Sequence, residues 1–151
     1  MDIKSGNQWP SRALSNFAGN RFEIDGVICN SMEGFLQSLK FKNPDMQIEI
    51  CKLVGYAAKK AGSKKNWQRE QKLYWRGQEL GRSSKEYQDL LDKAYISMYE
   101  QSESFRSALL YTKGNLTHSI GRKNSSETIL TKSEFCSRLI KLRDNEGKLE
   151  W

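Results

Sequence analysis

The chain has 151 residues, 25 Lys and Arg against 18 Asp and Glu, and a formal charge of +7. One domain of this length can bury a sizeable core without disulfides or metals, and six Phe, six Tyr and four Trp supply bulky core material although apolar residues make up only 37%. Two Pro and no biased repeat exclude a disordered or collagen-like chain. No apolar run approaches the roughly 18 residues of a membrane span, and the polar start Met1-Asp2-Ile3-Lys4-Ser5-Gly6 is unlike a signal peptide. The expectation is therefore a soluble, basic, cytoplasmic protein.

In chain order, the first 30 residues read as irregular and β. Arg21 to Asp25 and Val27 to Cys29 flank Gly26, and Asp25-Gly26 is a hairpin signal. Met32, Phe35, Leu36 and Leu39 recur at helical period and stop before Asn43-Pro44. A second helix is expected from Asp45 to Ala61 with Gly62 as its stop, and a third from near Asn66. Arg76-Gly77 to Arg82 reads as a break. The next helix follows Ser83, which pairs with Glu86 as a capping box, and carries the stripe Tyr87, Leu90, Leu91, Ala94, Tyr95 and Met98. A short helix holds Phe105, Ala108, Leu109 and Leu110. A polar loop from Lys113 to Thr128 leads to a last helix from Thr131 to near Asn145. Together these elements predict a single α+β, helix-rich domain spanning residues 1–151, with a small N-terminal β-hairpin.

The chemistry-bearing residues are few. Cys29, Cys51 and Cys136 are odd in number, far apart and never in a CxxC spacing, so free buried thiols in a reducing compartment are expected. His118 is the one histidine, which excludes a His-rich metal site. Glu33, Gln37 and Lys40 fall within about 40° of one another on a helix, placing a carboxylate, an amide and an ammonium on one face beside the core-seeking Phe35, Leu36 and Leu39. Such a Glu and Lys can tune each other's pKa. The same residues also read as a capping box of Asn30 with Glu33 and a solvated helix face.

Residues 59–76 carry Lys59, Lys60, Lys64, Lys65, Arg69, Lys72 and Arg76 against Glu70, a net +6 interleaved with Trp67, Tyr74 and Trp75. Cations offer phosphate contacts and aromatic faces offer base stacking. The alternative is a solvated lysine face with both Trp in the core. In Leu116 to Glu134, hydroxyls together with His118, Gly121, Arg122 and Lys123 could wrap a phosphorylated ligand, and Thr131 with Glu134 marks a helix N-terminus, itself an anion site. Surface polarity accounts for this loop equally well.

Taken in order, these segments resemble the NADAR superfamily, also called YbiA-like. Leu14-Ser15-Asn16-Phe17 is similar to the family's SNF element, and Ser31 to Phe41 to its T-x-E-H-Y-F-Q-A-x-K-F helix. Asn66-Trp67 and Ala108 to Thr112 fit the next blocks. Tyr74-Trp75-Arg76-Gly77, Ser84 to Gln88, His118 to Gly121, Glu127 to Thr131 and Glu134-Phe135-Cys136 resemble the branch that acts on ADP-ribosylated guanine. The resemblance covers about residues 12 to 144. Gly34-Phe35 stands where the family has His-Tyr, so no polar contact carries over to Gly34. The W-G and G-x-N elements of the bacterial YbiA branch are missing near residues 120 to 131.

The resemblance implies an N-glycosidic-bond hydrolase with Glu33 and Lys40 as its catalytic pair. Its substrate would be ADP-ribosylated guanine in nucleic acid or a nucleotide, reversing toxin-type modification in a host antitoxin or a viral setting. Riboflavin-pathway phosphoribosylamino-pyrimidines, and a non-catalytic ADP-ribose or nucleic-acid binding module, remain alternatives. Expected substrate contacts are Asn16 and Gln37 to ribose hydroxyls, Trp67 or Trp75 stacking a base, and Phe17, Arg76, His118, Ser119, Gly121, Thr131 and Glu134. No metal, cofactor or obligate protein partner is implied.

Overall fold

The computed structural model describes residues 1–151. A short helix α1 (Ser11–Leu14) precedes a hairpin of β1 (Phe22–Ile24) and β2 (Val27–Cys29), paired antiparallel with Glu23 opposite Ile28. Asp25 and Gly26 both have positive φ (49° and 79°), the backbone of the tight turn that suits twisted strands. Alternation along both strands sends Phe22, Ile24, Val27 and Cys29 inward. The hairpin and the helix α2 (Met32–Ser38) after it follow the sequence pattern.

Two expectations between residues 45 and 82 are overturned. The long second helix is two, α3 (Pro44–Cys51) and α4 (Gly55–Gly62). Asn43 caps α3, with Pro44 at its first position, where a missing N–H costs nothing. The chain then turns because Gly55 adopts φ 55° and donates its N–H to the Phe17 carbonyl, while the Leu53 carbonyl accepts from the Ser31 hydroxyl. The helix expected from Asn66 is absent. In its place a second antiparallel hairpin joins β3 (Lys72–Trp75) to β4 (Gln78–Gly81). Arg76-Gly77, expected to be a simple break, is its turn, with φ of 48° and 87°. Leu73 and Trp75 point inward from β3.

Helix α5 (Lys85–Gln101) buries the predicted stripe of Tyr87, Leu90, Leu91, Ala94, Tyr95 and Met98. Its cap is Ser84, whose hydroxyl accepts from the Tyr87 N–H, one residue beyond the expected Ser83. Helix α6 (Glu103–Tyr111) is capped by Ser102. Helix α7 (Lys132–Asp144) opens with the predicted capping box: Glu134 N–H donates to Thr131, and the Thr131 N–H donates back to the Glu134 carboxylate. One hydrophobic cluster of 31 buried residues runs from Ile3 to Leu142 and draws on every helix and strand except α4. The fold is α+β and helix-rich. All three cysteines are free and buried, and no helix is long and apolar enough to cross a membrane.

Candidate active site

Helix α2 is held at its start by contacts that aim one face into a cavity. Ser31, not Asn30, is its cap: the hydroxyl accepts from Gly34 N–H at 3.0 Å and donates to the Leu53 carbonyl at 2.8 Å. Asn30 instead donates its amide to the Lys52 carbonyl, so the capping-box reading of Asn30 with Glu33 does not hold. That leaves the Glu33 carboxylate free of a capping role, while its backbone N–H donates to the Asn16 carbonyl at 2.9 Å. Gly34 is where α2 meets α3. A Cβ there would stand 2.7 Å from the Leu53 carbonyl oxygen and 3.0 Å from that of Ile50, so no side chain fits. The missing family histidine thus has a packing consequence: backbone occupies the space its side chain would take.

Glu33, Gln37 and Lys40 share the wall of a cavity of about 430 Å³. Lys40 lies just past the end of α2, where its N–H still bonds the Gln37 carbonyl and prolongs the turn. Asn16, Phe17, Trp67, His118 and Gly121 line the same cavity. The side chains of Glu33 and Lys40 bond elsewhere than to each other. Gln37 donates its amide to the Glu33 carboxylate at 3.0 Å, and the Lys40 ammonium donates to the Gly62 carbonyl at 3.3 Å. The Gln37 Oε1 atom is buried with no partner, pressed toward Gly62, where an added Cβ would stand 1.9 Å from it. Gly62 is therefore required for Gln37 to reach Glu33.

Burial pushes both ionisable groups toward their neutral forms. It raises the Glu33 pKa, opposed by the Gln37 hydrogen bond and by the charges of Lys40, Lys59 and His118. It lowers the Lys40 pKa; the Glu33 charge opposes this, and nearby Lys59 adds to it. Both shifts favour the forms in which a carboxyl can donate a proton and an amine can act as a nucleophile.

The opposite wall comes from the chain's beginning and from the loop before α7. The His118 Nδ1 atom lies 2.8 Å from the Ile3 carbonyl. A carbonyl only accepts, so Nδ1 carries a proton, and in the neutral tautomer Nε2 is left as an acceptor. The ring packs edge-on against Phe135 at 5.2 Å. Asn16 accepts the Tyr95 hydroxyl at 2.8 Å on Oδ1, which orients its amide. Arg82 donates Nε to the Thr128 carbonyl, and Tyr87 donates its hydroxyl to that of Ile129, fixing two cavity-lining residues from below.

Five expected contacts lie outside the cavity lining. Trp75 is buried, packs edge-on against Phe35 at 5.0 Å and donates Nε1 to Asp25 at 2.8 Å, so core packing occupies its ring. Arg76 sits exposed at the turn between β3 and β4, where its N–H donates to Gln47. Ser119 spends both its N–H and its hydroxyl on Asp2. Thr131 and Glu134 cap α7, and Glu134 is clasped by Arg82 through two hydrogen bonds of 2.6 and 3.1 Å. Ser5, Ser15, Lys59 and Glu127 line the cavity although sequence reasoning did not single them out. Lys59 is one of seven equivalent cations in the basic run, and although exposed it lines the cavity. No group of three or more His, Cys, Asp or Glu is arranged to hold a metal ion.

Comparison with known proteins agrees with this arrangement of elements. A family profile described as "Bacteriophage protein GP30.3" matches residues 8–144. An "Uncharacterized 17.1 kDa protein in Gp30-rIII intergenic region" of Enterobacteria phage T4 is 41% identical over 150 residues, covering 96% of this chain and 97% of the relative. The solution structure of the E. coli protein YbiA superposes with a TM-score of 0.63 at 21% identity, over 97% of this chain and 83% of that one. The chain belongs to the bacteriophage GP30.3 protein family and shares the fold of YbiA.

Proposed function

We propose that the protein is an N-glycosidase that removes ADP-ribose from ADP-ribosylated guanine. The observation that carries this reading is the pair of half-buried groups Glu33 and Lys40 on one cavity wall, both shifted toward neutrality by burial. Cleaving a ribosyl C–N bond builds positive charge on the anomeric carbon and negative charge on the departing nitrogen. A free Lys40 amine attacks the anomeric carbon as the C–N bond breaks. The bonding electrons leave with the guanine nitrogen, which takes the Glu33 proton. The sugar–lysine adduct opens to a Schiff base, and Glu33, now a carboxylate, draws a proton from the water that hydrolyses it. ADP-ribose leaves, and Lys40 returns as an amine. In this reading Asn16 holds a ribose hydroxyl, Trp67 lies against the base and the His118 Nε2 atom accepts a hydroxyl proton, while Gln37, expected on a ribose hydroxyl, instead spends its amide on orienting Glu33.

The depressed Lys40 pKa favours this route over one in which a charged Lys40 only orients the substrate while Glu33 activates water. The test is incubation with ADP-ribosylated guanine DNA and measurement of released ADP-ribose. Release is expected from the unaltered protein and none from a folded Lys40→Ala variant. Borohydride should trap a protein–sugar adduct that Lys40→Ala lacks. No ADP-ribose release, with cleavage of phosphoribosylamino-pyrimidines instead, would reject the substrate. Release without a trappable adduct would reject the Schiff base.

A further inference from the structure

A second cavity of about 320 Å³ adjoins the first and shares Lys40 and Trp67 with it. Its remaining lining is Lys42, Lys65, Asn66, Glu70, Lys72 and Tyr74, so four lysines face one glutamate. Lys65 is held over the Phe41 ring at 4.8 Å, and Lys72 lies 3.6 Å from Glu79, which partly offsets its charge. Lys40 bonds only the neutral Gly62 carbonyl. Gathering like charges around a concave surface is unfavourable unless an anion offsets them. The two cavities share Lys40 and Trp67, so one extended ligand can reach from a sugar in the first to an anion in the second.

We propose that this second cavity is a phosphate-ester site, with Lys42, Lys65 and Lys72 as its cations, beside the cavity in which Lys40 attacks the sugar. The inference rests on the proposed reaction for its orientation, but not for the existence of the site. Two sources present this chemistry: the phosphodiester backbone of a nucleic-acid strand and the pyrophosphate of ADP-ribose.

The site is tested with the triple variant Lys42→Gln/Lys65→Gln/Lys72→Gln and, as control, Lys60→Gln/Lys64→Gln/Arg69→Gln. The control removes the same charge, at exposed residues of the basic stretch that line neither cavity. One arm measures anisotropy of a short fluorescein-labelled oligothymidylate carrying no ADP-ribose. The other measures ADP-ribose binding by calorimetry. Each phosphate contact contributes about 0.7 to the salt slope of single-strand binding, so the cavity variant should flatten that slope by about 2 and weaken binding about tenfold or more. Loss confined to the oligonucleotide identifies the backbone as the source. Loss confined to ADP-ribose identifies the pyrophosphate. Loss of both shows that the site takes either. Equal loss in the control variant, or no loss in either arm, overturns the site. Neither arm needs turnover, so failure to hydrolyse ADP-ribosylated guanine would sink the proposed reaction and leave this result standing.

Discussion

Arg82→Met tests whether a buried ion pair underpins the cavity wall. Arg82 is 1% exposed and gives two hydrogen bonds to Glu134, a third to the Thr128 carbonyl at 2.8 Å, and a face to the Tyr87 ring at 5.0 Å. Removing it leaves Glu134 with the Gln88 amide and the Thr131 N–H but no opposite charge in contact. Breaking one side of a buried pair costs about 3–5 kcal/mol. The Glu134 side chain keeps 15% of its exposure, which sets the expectation at about 3 kcal/mol, the lower end of that range. Set against a total of about 5–15 kcal/mol, this lowers the melting temperature by about 6–12 °C for a chain of this size. Urea denaturation of Arg82→Met, Glu134→Gln and the double variant measures it. The double variant should be less destabilised than the sum of the singles. Burial alone would raise the Glu134 pKa, but the hydrogen bonds from Arg82, Thr131 and Gln88 outweigh it and hold the group below its ordinary value. Its contribution is therefore present above the ordinary glutamate range and lost as pH falls through the lowered value. In Arg82→Met the acid loss should begin at higher pH. Additive losses, or an Arg82→Met cost under about 1 kcal/mol, would refute the reasoning.

Two further outcomes follow from the shifted groups in the cavity. Glu33→Gln removes a carboxylate whose charged form burial disfavours, so at neutral pH the variant should melt higher by scanning calorimetry while losing turnover; a lower melting temperature would contradict the assigned burial cost. Lys59→Met removes a charge that depresses the Lys40 pKa, so the limb of the kcat/KM profile that reports formation of the free amine should move to higher pH. An unmoved limb would exclude Lys40 as the group that must lose its proton.

The sequence made the site's chemistry more legible than its walls. Glu33, Gln37 and Lys40 share a face because a helix of ordinary period forces them to, and the α5 stripe was readable for the same reason. The segment from residue 45 to 82 was not, because its outcome depends on partners far away in sequence. Leu53 and Gly55 end a helical run by bonding Ser31 and Phe17. Similarly, Arg76-Gly77 becomes a hairpin turn when Leu73 and Trp75 find the core. Trp75 shows the limit most clearly: an aromatic beside lysines looks like a stacking platform until its N–H is seen bonded to Asp25. The buried Arg82–Glu134 pair gave no local signal, since its members lie 52 residues apart.

The same break that hid α4 from the sequence divides the basic run into parts with different work. Lys59 turns toward the first cavity, Lys65 and Lys72 toward the second, and Lys60, Lys64 and Arg69 stay in solvent. This division matters for the proposed chemistry. Lys40 is useful as a nucleophile only as a free amine, and burial and Lys59 both favour that form. A phosphate seated directly against Lys40 would supply negative charge and draw it back toward ammonium. A phosphate paired with Lys42, Lys65 and Lys72 has its charge met by those cations and draws Lys40 less strongly toward ammonium. The lysines are thus sorted by position, with burial pushing Lys40 toward its neutral form while others line the second cavity or stay exposed, and the fold between Cys51 and Trp75 is what sorts the basic run.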